Sequence, residues 1–366
     1  ATGGGGLWSV ATVATAKPVA LVTGISGMIG SFVARELLAR GYEVHGVVRY
    51  RTHWGNLRGL MHAVSWHKGD ITDEGFVLNL LSELRPDCVF HFAAQSLNGV
   101  SGDAPKLTMD VNVGGTLNLL EALRVLDHRP LFFLAGSSTA YGKTAESWEG
   151  PIPEDAPLMP ATQYGVSKVA AEMLGRQYTW SYGIPVVTAR FFQQVAPGGP
   201  ETLAVQDFSM QVAMIEAGLQ APVIKHGNLE TLRDMTDVRD SAVAIVDLLL
   251  LGTPGEVYNL CSGHATPVRS IIELLLQKST MSGIELEEDP SRLRTFDEKV
   301  LLGDNSKLVS LLGWEASTDF SDTVQAVLDY WRAEVAVRYG VDDPRGHCGA
   351  GGVCEDPVQD EPASGH

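Results

Sequence analysis

Three side chains near the middle of the chain are spaced to move a proton. Tyr164 and Lys168 stand four residues apart in a helix predicted to begin near Ala161, so they share one helical face. An ammonium beside a phenol favours the phenolate, which predicts a lowered pKa for Tyr164. Ser137 follows a predicted strand, and its hydroxyl could bind a substrate carbonyl while Tyr164 gives or takes the proton. The alternative to a catalytic role is that the Ser137 hydroxyl only stabilises a turn and that the Tyr-x-x-x-Lys spacing arose by chance.

Apolar runs that alternate with helical segments must bring these side chains together. Such alternation predicts an α/β fold built on a doubly wound parallel Rossmann sheet with right-handed crossovers. Ligands bind such sheets at the carboxyl ends of the strands, which is where Ser137 is expected. The predicted strands span residues 19–23, 42–48, 62–70, 88–94, 131–135, 186–188 and 257–261.

A glycine turn joins the first predicted strand to an amphipathic helix over residues 31–40. Glycine at every third position leaves the N–H groups of the helix N-terminus open to a pyrophosphate, which side chains would block. Three glycines near a strand are also common in ordinary turns. The second strand follows at the distance that a βαβ unit requires, which favours a dinucleotide site. The turn residues expected to contact the cofactor are Gly24, Gly27, Met28, Ile29 and Gly30.

The end of the second predicted strand indicates which dinucleotide is bound. An acid there would hold the ribose 2′-hydroxyl of NAD, whereas a 2′-phosphate calls for arginine. Arg49 and Arg51 stand there without an acid, so NADP(H) is favoured over the alternative of two solvated surface arginines. Asp70 is expected to face the adenine, although a turn or helix-cap aspartate explains it as well. Further residues expected to line the cofactor site are Ile71, Ala93 and Ala94.

Composition narrows the class of protein. The chain has 366 residues, of which 45% are hydrophobic, and this is ample for a core. A formal net charge of −17 argues against general binding to nucleic acid or to acidic membranes. The run 246–252 is too short to span a membrane. Cys88 and Cys261 lie within predicted strands, which suggests a reduced, cytoplasmic setting.

Beyond Arg190 the alternating pattern breaks, which predicts a second, smaller unit at the carboxyl ends of the strands. The tail holds His347, Cys348 and Cys354, but no fourth ligand is suggested, so no metal site is predicted. The predicted organisation is a disordered tail over 1–17, an NADP-binding Rossmann domain over 18–190 and 234–262, a discontinuous C-terminal substrate domain over 191–233 and 263–340, and a disordered acidic tail over 341–366.

Taken together, these motifs resemble an extended short-chain dehydrogenase/reductase over about residues 18–335. The motifs that carry the resemblance are Gly24-x-x-Gly27-x-x-Gly30, Gly69-Asp70, His91-Phe-Ala-Ala-Gln-Ser96, Ser137-Ser-Thr-Ala-Tyr-Gly142 and Tyr164-x-x-x-Lys168. Within that family the chain is most similar to the GDP-sugar branch, which holds GDP-mannose 4,6-dehydratases and GDP-4-dehydro-6-deoxy-D-mannose reductases. The narrower match lies in residues 44–49, 289–294, 302–307 and 313–314.

The resemblance implies NADP(H), a nucleotide-diphosphate sugar that is expected to be GDP-linked, and a homodimer or homotetramer. It also implies catalysis by Ser137, Tyr164 and Lys168. The residues that it suggests for substrate binding are Gln95, Ser138, Gln193, Arg233, Arg292 and Arg294. For the arginines, whose forks suit phosphate geometry, the alternative is ordinary surface ion pairing.

Thr139 decides between the reactions of this branch. Dehydratases of this kind place an acid two residues before the position of Tyr141, and GDP-mannose 3,5-epimerases place a cysteine there. Neither Thr139 nor Ser138 titrates near neutrality, so dehydration and that epimerisation are disfavoured. The expected reaction is NADPH-dependent reduction of the C4 keto group of a 4-keto-6-deoxyhexose such as GDP-4-keto-6-deoxymannose.

Two departures from the family pattern leave other readings open. Gln193 stands where the family often has asparagine, and Thr295 stands where it has proline, so the sugar-nucleotide pocket could differ. The alternatives are a dehydratase or epimerase of the same family, a reductase of other carbonyls, and a non-catalytic NADP-binding sensor or scaffold. The complete set of Ser137, Tyr164 and Lys168 argues against lost catalysis.

Overall fold

The computed structural model describes residues 17–293 and 298–341. Its strands are β1 (Val19–Thr23), β2 (Glu43–Val48), β3 (Val64–Lys68), β4 (Cys88–His91), β5 (Leu131–Ser137), β6 (Val186–Phe191), β7 (Gln193–Val195), β8 (Val223–His226), β9 (Leu232–Asp237), β10 (Val257–Leu260), β11 (Ala265–Pro267), β12 (Glu285–Glu288) and β13 (Val300–Leu301).

The α-helices are α1 (Met28–Ala39), α2 (Glu74–Leu84), α3 (Asn98–Asp103), α4 (Pro105–Met109), α5 (Gly115–Val125), α6 (Lys143–Ser147), α7 (Gln163–Tyr182), α8 (Ala204–Glu216), α9 (Val238–Leu251), α10 (Val268–Lys278), α11 (Ser306–Leu312) and α12 (Phe320–Tyr339). Short 3-10 turns cover Gly55–Leu60, Ser138–Ala140 and Pro290–Arg292, and a π-helical turn covers Asp110–Gly114.

Seven parallel strands form the main sheet in the order β10-β6-β5-β4-β1-β2-β3. The chain enters the sheet at its middle, builds towards β3, and then returns to build from β4 towards β10. The order therefore reverses between β1 and β4, which opens a crevice at the carboxyl ends of these two strands. The predicted doubly wound parallel sheet is confirmed.

The sequence of the central strands explains their position. All four residues of β4 are buried because helices cover both faces of the sheet; three of them are apolar, and His91 hydrogen-bonds to the hydroxyls of Thr23 and Thr116. One face of the sheet packs against α1, α9 and α11, and the other packs against α2, α5 and α7. The strand β4 ends at His91, earlier than predicted, because Ala93 N donates to the side chain of Thr23 (3.3 Å) and not to a strand neighbour.

A smaller sheet and a second core follow β6. Strand β9 pairs with β7, β11 and β13, and helices α8, α10 and α12 pack around a separate apolar cluster. The predicted domain boundary at residue 234 falls inside β9, whose strand partners all belong to this smaller sheet. Strand β10 returns to the main sheet beside β6, as expected. The division into two domains stays a prediction.

Several sequence-based expectations lie outside the described residues: those for residues 1–16 and 342–366, which include His347, Cys348 and Cys354, and that for Arg294. Within 17–293 and 298–341, no helix is long and apolar enough to cross a membrane. Cys88 and Cys261 are buried free thiols, and burial raises the pKa of both. In the same part of the chain, no group of three potential metal ligands is found.

Candidate active site

The glycine turn after β1 has a shape that larger residues could not adopt. Gly24 has a left-handed backbone (φ 71°), and a Cβ atom there would lie 2.5 Å from Ala93 N. A Cβ atom at Gly30 would lie 2.4 Å from Gly24 O. The turn is therefore pressed against the end of β4 on one side and against the first turn of α1 on the other.

Gly27 leaves the N-terminus of α1 open. It is exposed, and a Cβ atom on it would meet only Gly24 O, at 3.2 Å. The first intrahelical bond runs from Ser31 N to Gly27 O (3.0 Å), so the preceding N–H groups have no partner within the helix. Positive N–H groups at an open helix end fit a pyrophosphate. The N–H groups in question belong to Met28, Ile29 and Gly30.

The other residues predicted to bind cofactor lie along the same edge of the sheet. Arg49 and Arg51 follow β2 directly and are exposed, as a 2′-phosphate site requires. Asp70 Oδ1 accepts from the N–H and the hydroxyl of Thr72 (3.0 and 2.9 Å), so this oxygen has the alternative role of a turn aspartate. Ile71 is buried beside Gly115. Ala93 and Ala94 are half-buried just after β4.

The start of α7 is fixed by its cap and by close packing. The side chain of Thr162 accepts from Gly165 N (3.0 Å) and caps the helix. A Cβ atom at Gly165 would lie 2.7 Å from Thr139 O, so the helix approaches the turn after β5 at backbone distance. This contact brings Tyr164 to the end of the strand that carries Ser137.

The predicted catalytic residues lie together at this place. The Ser137 hydroxyl hydrogen-bonds to the Tyr164 phenol and lies 2.8 Å from Thr139 Oγ1. Lys168 Nζ lies 5.8 Å from the ring centre of Tyr164 and donates to Ala135 O at 2.8 Å. Both Ser137 and Lys168 are buried. A substrate carbonyl could therefore meet two hydroxyls, one of them with an ammonium behind it.

The predicted lowering of the Tyr164 pKa is not what this structure shows. Burial raises the pKa of Tyr164 to about 12, and the hydrogen bond from Ser137 acts in the opposite direction. Burial also lowers the pKa of Lys168 to about 8, so its ammonium is still mostly charged near neutrality. Tyr164 is thus protonated near neutrality, and a protonated phenol is the form that can donate a proton.

Asn112 joins the catalytic helix to the end of β4, and the sequence, which placed it in a predicted helix, gave it no role. Its Nδ2 donates to Ser167 Oγ (2.8 Å) and to Gln95 O (3.0 Å), and its Oδ1 accepts from Gln95 N (2.7 Å). Asn112 lies in the π-helical turn, and such turns often mark functional sites. The glycines at 114 and 115 after it were the only local signal in the sequence.

The side chain of Gln95 is already engaged. Its Oε1 accepts from Leu97 N (2.6 Å) and its Nε2 donates to Leu97 O (3.1 Å), which closes a small loop. The predicted contact between Gln95 and substrate would need these bonds to break. Ser138 is buried in the 3-10 turn after β5, where its carbonyl accepts from Tyr141 N (3.0 Å).

Three of the predicted substrate residues line one cavity of about 450 Å³ between α8 and the smaller sheet. Gln193 begins β7, two residues after Phe191, which pairs with Ser137 in the main sheet. Arg233 is buried and donates to Glu298 O (2.7 Å). Arg292 forms an ion pair with Asp207, which lines the same cavity. The cavity wall therefore carries two guanidinium groups and the amides of Gln193 and Asn228, together with the carboxylates of Glu201 and Asp207.

Comparison with known proteins identifies the family. The model of the family described as GDP-mannose 4,6 dehydratase matches residues 21–327. The chain belongs to this family. It is 32% identical to the GDP-6-deoxy-D-mannose reductase of Pseudomonas aeruginosa over 314 residues, which cover 86% of this chain and 97% of that protein. It is 30% identical to the GDP-mannose 4,6-dehydratase of Yersinia enterocolitica, with coverage of 81% and 88%.

Solved structures agree with this assignment. The RMD protein of Pseudomonas aeruginosa, complexed with NADPH, matches with a TM-score of 0.75 and 29% identity over 87% of this chain and all of that one. The UDP-glucose 4-epimerase of Thermotoga maritima, with UDP-glucose, matches with a TM-score of 0.77 and 26% identity over 87% and 99% of the two chains. The predictions of an extended short-chain dehydrogenase/reductase, of an enzyme and of a nicotinamide cofactor are confirmed.

Proposed function

We propose that this enzyme reduces the C4 keto group of a nucleotide-diphospho-4-keto-6-deoxyhexose, GDP-4-keto-6-deoxymannose, with NADPH. The observation that carries the proposal is the side chain at position 139. The hydroxyl of Thr139 lies 2.8 Å from the Ser137 hydroxyl, at the position where a dehydratase would need a carboxylate. Elimination of water needs a second acid or base beside the tyrosine, and a threonine hydroxyl does not titrate near neutrality. Reduction needs a single proton donor, and Tyr164 supplies it.

The proposed cofactor site uses the residues at the carboxyl ends of β1, β2 and β4. The open N-terminus of α1 would hold the pyrophosphate, and Arg49 and Arg51 would hold the 2′-phosphate. Ala93 and Ala94 would leave room for the cofactor beside β4. When bound, the dihydronicotinamide supplies the hydride that reduces the carbonyl carbon.

The chain's own residues handle the proton and the orientation of the carbonyl. Ser137 donates a hydrogen bond to the carbonyl oxygen and fixes its direction. Tyr164 donates its phenolic proton to the same oxygen as negative charge develops there, and it is protonated at neutral pH because burial raises its pKa to about 12. Lys168, held by Ala135 O, then stabilises the phenolate until solvent returns the proton.

Gln193, Arg233 and Arg292 would bind the diphosphate sugar in the neighbouring cavity. Guanidinium groups form bidentate bonds with phosphate oxygens, and both arginines reach the cavity wall. A ligand that carries phosphate needs local positive charge because the chain as a whole is strongly acidic, so Arg292 would have to exchange its ion pair with Asp207 for the phosphate. The GDP moiety and the predicted homodimer or homotetramer are parts of this proposal.

The test follows deuterium from cofactor to sugar. The enzyme is incubated with enzymatically generated GDP-4-keto-6-deoxymannose and NADPH that carries deuterium at the reactive nicotinamide carbon. We expect the sugar product to gain one deuterium at C4 and one equivalent of NADPH to be consumed. A product without that deuterium, or no product while NADPH binds, would contradict the proposal.

The alternative reaction is the dehydration of GDP-mannose, which is favoured by the family match and by the dehydratase relatives. Dehydration returns the hydride to the sugar, so it consumes no NADPH. Incubation with GDP-mannose and NADP distinguishes the two reactions, since only a dehydratase forms the 4-keto product. We expect none from the wild-type enzyme.

A further inference from the structure

One asparagine side chain joins the cofactor turn to the substrate cavity. Asn56 Nδ2 donates to Ser26 O (3.1 Å), which lies inside the glycine turn. The same Nδ2 donates to Gly198 O (3.0 Å), which lies in the loop between β7 and α8. Asn56 O in turn accepts from a guanidinium nitrogen of Arg35 on α1 (2.8 Å). The two loops therefore share a single amide group.

The bond to Ser26 fixes the shape of the glycine turn. Asn56 holds the carbonyl of the peptide between Ser26 and Gly27, and the N–H of that peptide donates to Gly24 O (3.0 Å). Both polar groups of the peptide are thereby engaged. The orientation of this peptide sets the direction of the first free N–H groups of α1, which are those expected to meet a pyrophosphate.

The bond to Gly198 fixes the start of the cavity wall. Gly198 has a left-handed backbone (φ 80°), and a Cβ atom there would lie 1.8 Å from Asn56 Oδ1, so no larger residue fits against the amide. A Cβ atom at Gly199 would lie 3.0 Å from Met28 Sδ, in the first turn of α1. The chain then continues directly to Glu201 and Thr202, which line the cavity.

We propose that Asn56 is a positioning residue that couples the two ligand sites, so that binding of the dinucleotide orders the loop over residues 196–203 and prepares the cavity for the nucleotide sugar. The coupling rests on the proposed function for the identity of both ligands. Because coupling between two binding sites is reciprocal, the sugar nucleotide must also tighten the binding of the dinucleotide.

Hydrogen exchange with NADPH alone tests the coupling without any sugar. In the wild-type protein, NADPH should slow amide exchange at residues 24–30. It should also slow exchange at residues 196–203 by about fivefold, which corresponds to the free energy of one neutral hydrogen bond. In Asn56→Ala, NADPH should still protect residues 24–30 but leave residues 196–203 within twofold of the free protein. Asn305→Ala is the matched control, since it removes one Nδ2 bond, to Cys261 O, at another place and should behave like wild type.

A second variant approaches the same contact from the other loop. Gly198→Ala places a methyl group against Asn56 Oδ1 and should abolish protection of 196–203 in the same way, in a protein whose melting shows that it is folded. The coupling alone would be overturned if NADPH protected residues 24–30 but not residues 196–203 in the wild-type protein. It would also be overturned if residues 196–203 were protected equally in Asn56→Ala. No protection of 24–30 in wild type would overturn the cofactor assignment and the coupling with it.

A binding measurement gives the reciprocal result. We expect saturating NADPH to lower the Kd of GDP for the wild-type enzyme by about fivefold, and GDP to lower the Kd of NADPH by the same factor. In Asn56→Ala both factors should fall to within twofold of one. If Asn56 had a merely structural role, its loss would raise either Kd, but each ligand would still lower the Kd of the other by the same factor. An unchanged factor in Asn56→Ala would therefore overturn the proposal.

Discussion

The proton-transfer group and the substrate cavity are built in opposite ways. Ser137, Tyr164 and Lys168 come from one strand end and the first turns of one helix, and Ser137 and Lys168 are buried and held by bonds within the sheet region. The cavity residues come from β7, β9 and the turn at Pro290–Arg292, and Arg292 is exposed and bound mainly to acids. The first group is preorganised, whereas the second must exchange partners when a diphosphate binds. Changes in the first group should therefore reduce kcat, and changes in the second should raise KM.

Removing the phenolic hydroxyl tests the preorganised group most severely. Tyr164→Phe should lower kcat by about 10²–10⁴-fold, since a positioned proton donor is worth that much, while NADPH still binds. Tyr178→Phe, on the same helix and bonded to Glu121, is the matched control and should keep kcat. A kcat within tenfold of wild type in Tyr164→Phe would remove the distinction between the two regions.

The buried ammonium of Lys168 should make the free energy of unfolding depend on pH. The pKa of Lys168 is about 8 in the folded protein and 10.5 ordinarily, so the unfolded state binds more protons between these values. The free energy of unfolding therefore rises with pH between these two pKa values. At about 1.4 kcal/mol per pH unit, the total rise from the neutralisation of Lys168 is about 3 kcal/mol. Urea unfolding of the free protein can be measured from roughly pH 7.5 to roughly pH 10.5. The free energy of unfolding should rise over this range in the wild-type protein and should not rise in Lys168→Met. Parallel curves would contradict the buried charge.

Truncating a cavity arginine should act on KM alone. Arg292→Ala should raise the KM for the nucleotide sugar by about 10–100-fold, the range for a lost charged hydrogen bond, with kcat within threefold. Arg292→Lys should lie between, since it keeps the charge but loses the fork. Arg269→Ala, whose guanidinium pairs with Glu230 on the surface, serves as the control and should leave KM unchanged. A fall in kcat equal to that of Tyr164→Phe would show that both regions act on the chemical step.

The smallest expected effect concerns the choice of cofactor. Arg49→Ser should raise the Kd of NADPH by about tenfold and leave the Kd of NADH unchanged, because only the 2′-phosphate is lost as a partner. Fluorescence titration with both cofactors measures this ratio. Equal weakening of NADPH and NADH would indicate that Arg49 supports the loop and does not read the phosphate.

The contrast between the regions also explains what could be predicted from the sequence. The glycine turn, the alternation of strands and helices, and the pair Tyr164 and Lys168 follow from short spacings, because a strand, a turn and a helix fix residues close in the chain. The cavity joins positions almost one hundred residues apart, and only family resemblance suggested Arg233 and Arg292. The pKa of Tyr164 was predicted in the wrong direction because spacing gives neighbours but not burial, and burial raises this pKa to about 12.

Asn56 and Asn112 show the same limit. Each makes bonds to backbone carbonyls on other segments, and an isolated asparagine between a turn and a helix carries no pattern that predicts such partners. Gln95 shows the converse, since the motif suggested a contact with substrate while its amide is bonded to Leu97. Motifs predict which segment reaches the site, whereas tertiary contacts decide which side chains remain available.

The most direct test of the central claim is the rate of NADPH oxidation with enzymatically generated GDP-4-keto-6-deoxymannose, measured beside GDP-mannose with NADP. We expect rapid oxidation with the keto sugar, oxidation slowed by about 10²–10⁴-fold in Tyr164→Phe, and no 4-keto product from GDP-mannose. Formation of the 4-keto product from GDP-mannose, with no oxidation of NADPH by the keto sugar, would contradict the reductase and establish the dehydratase.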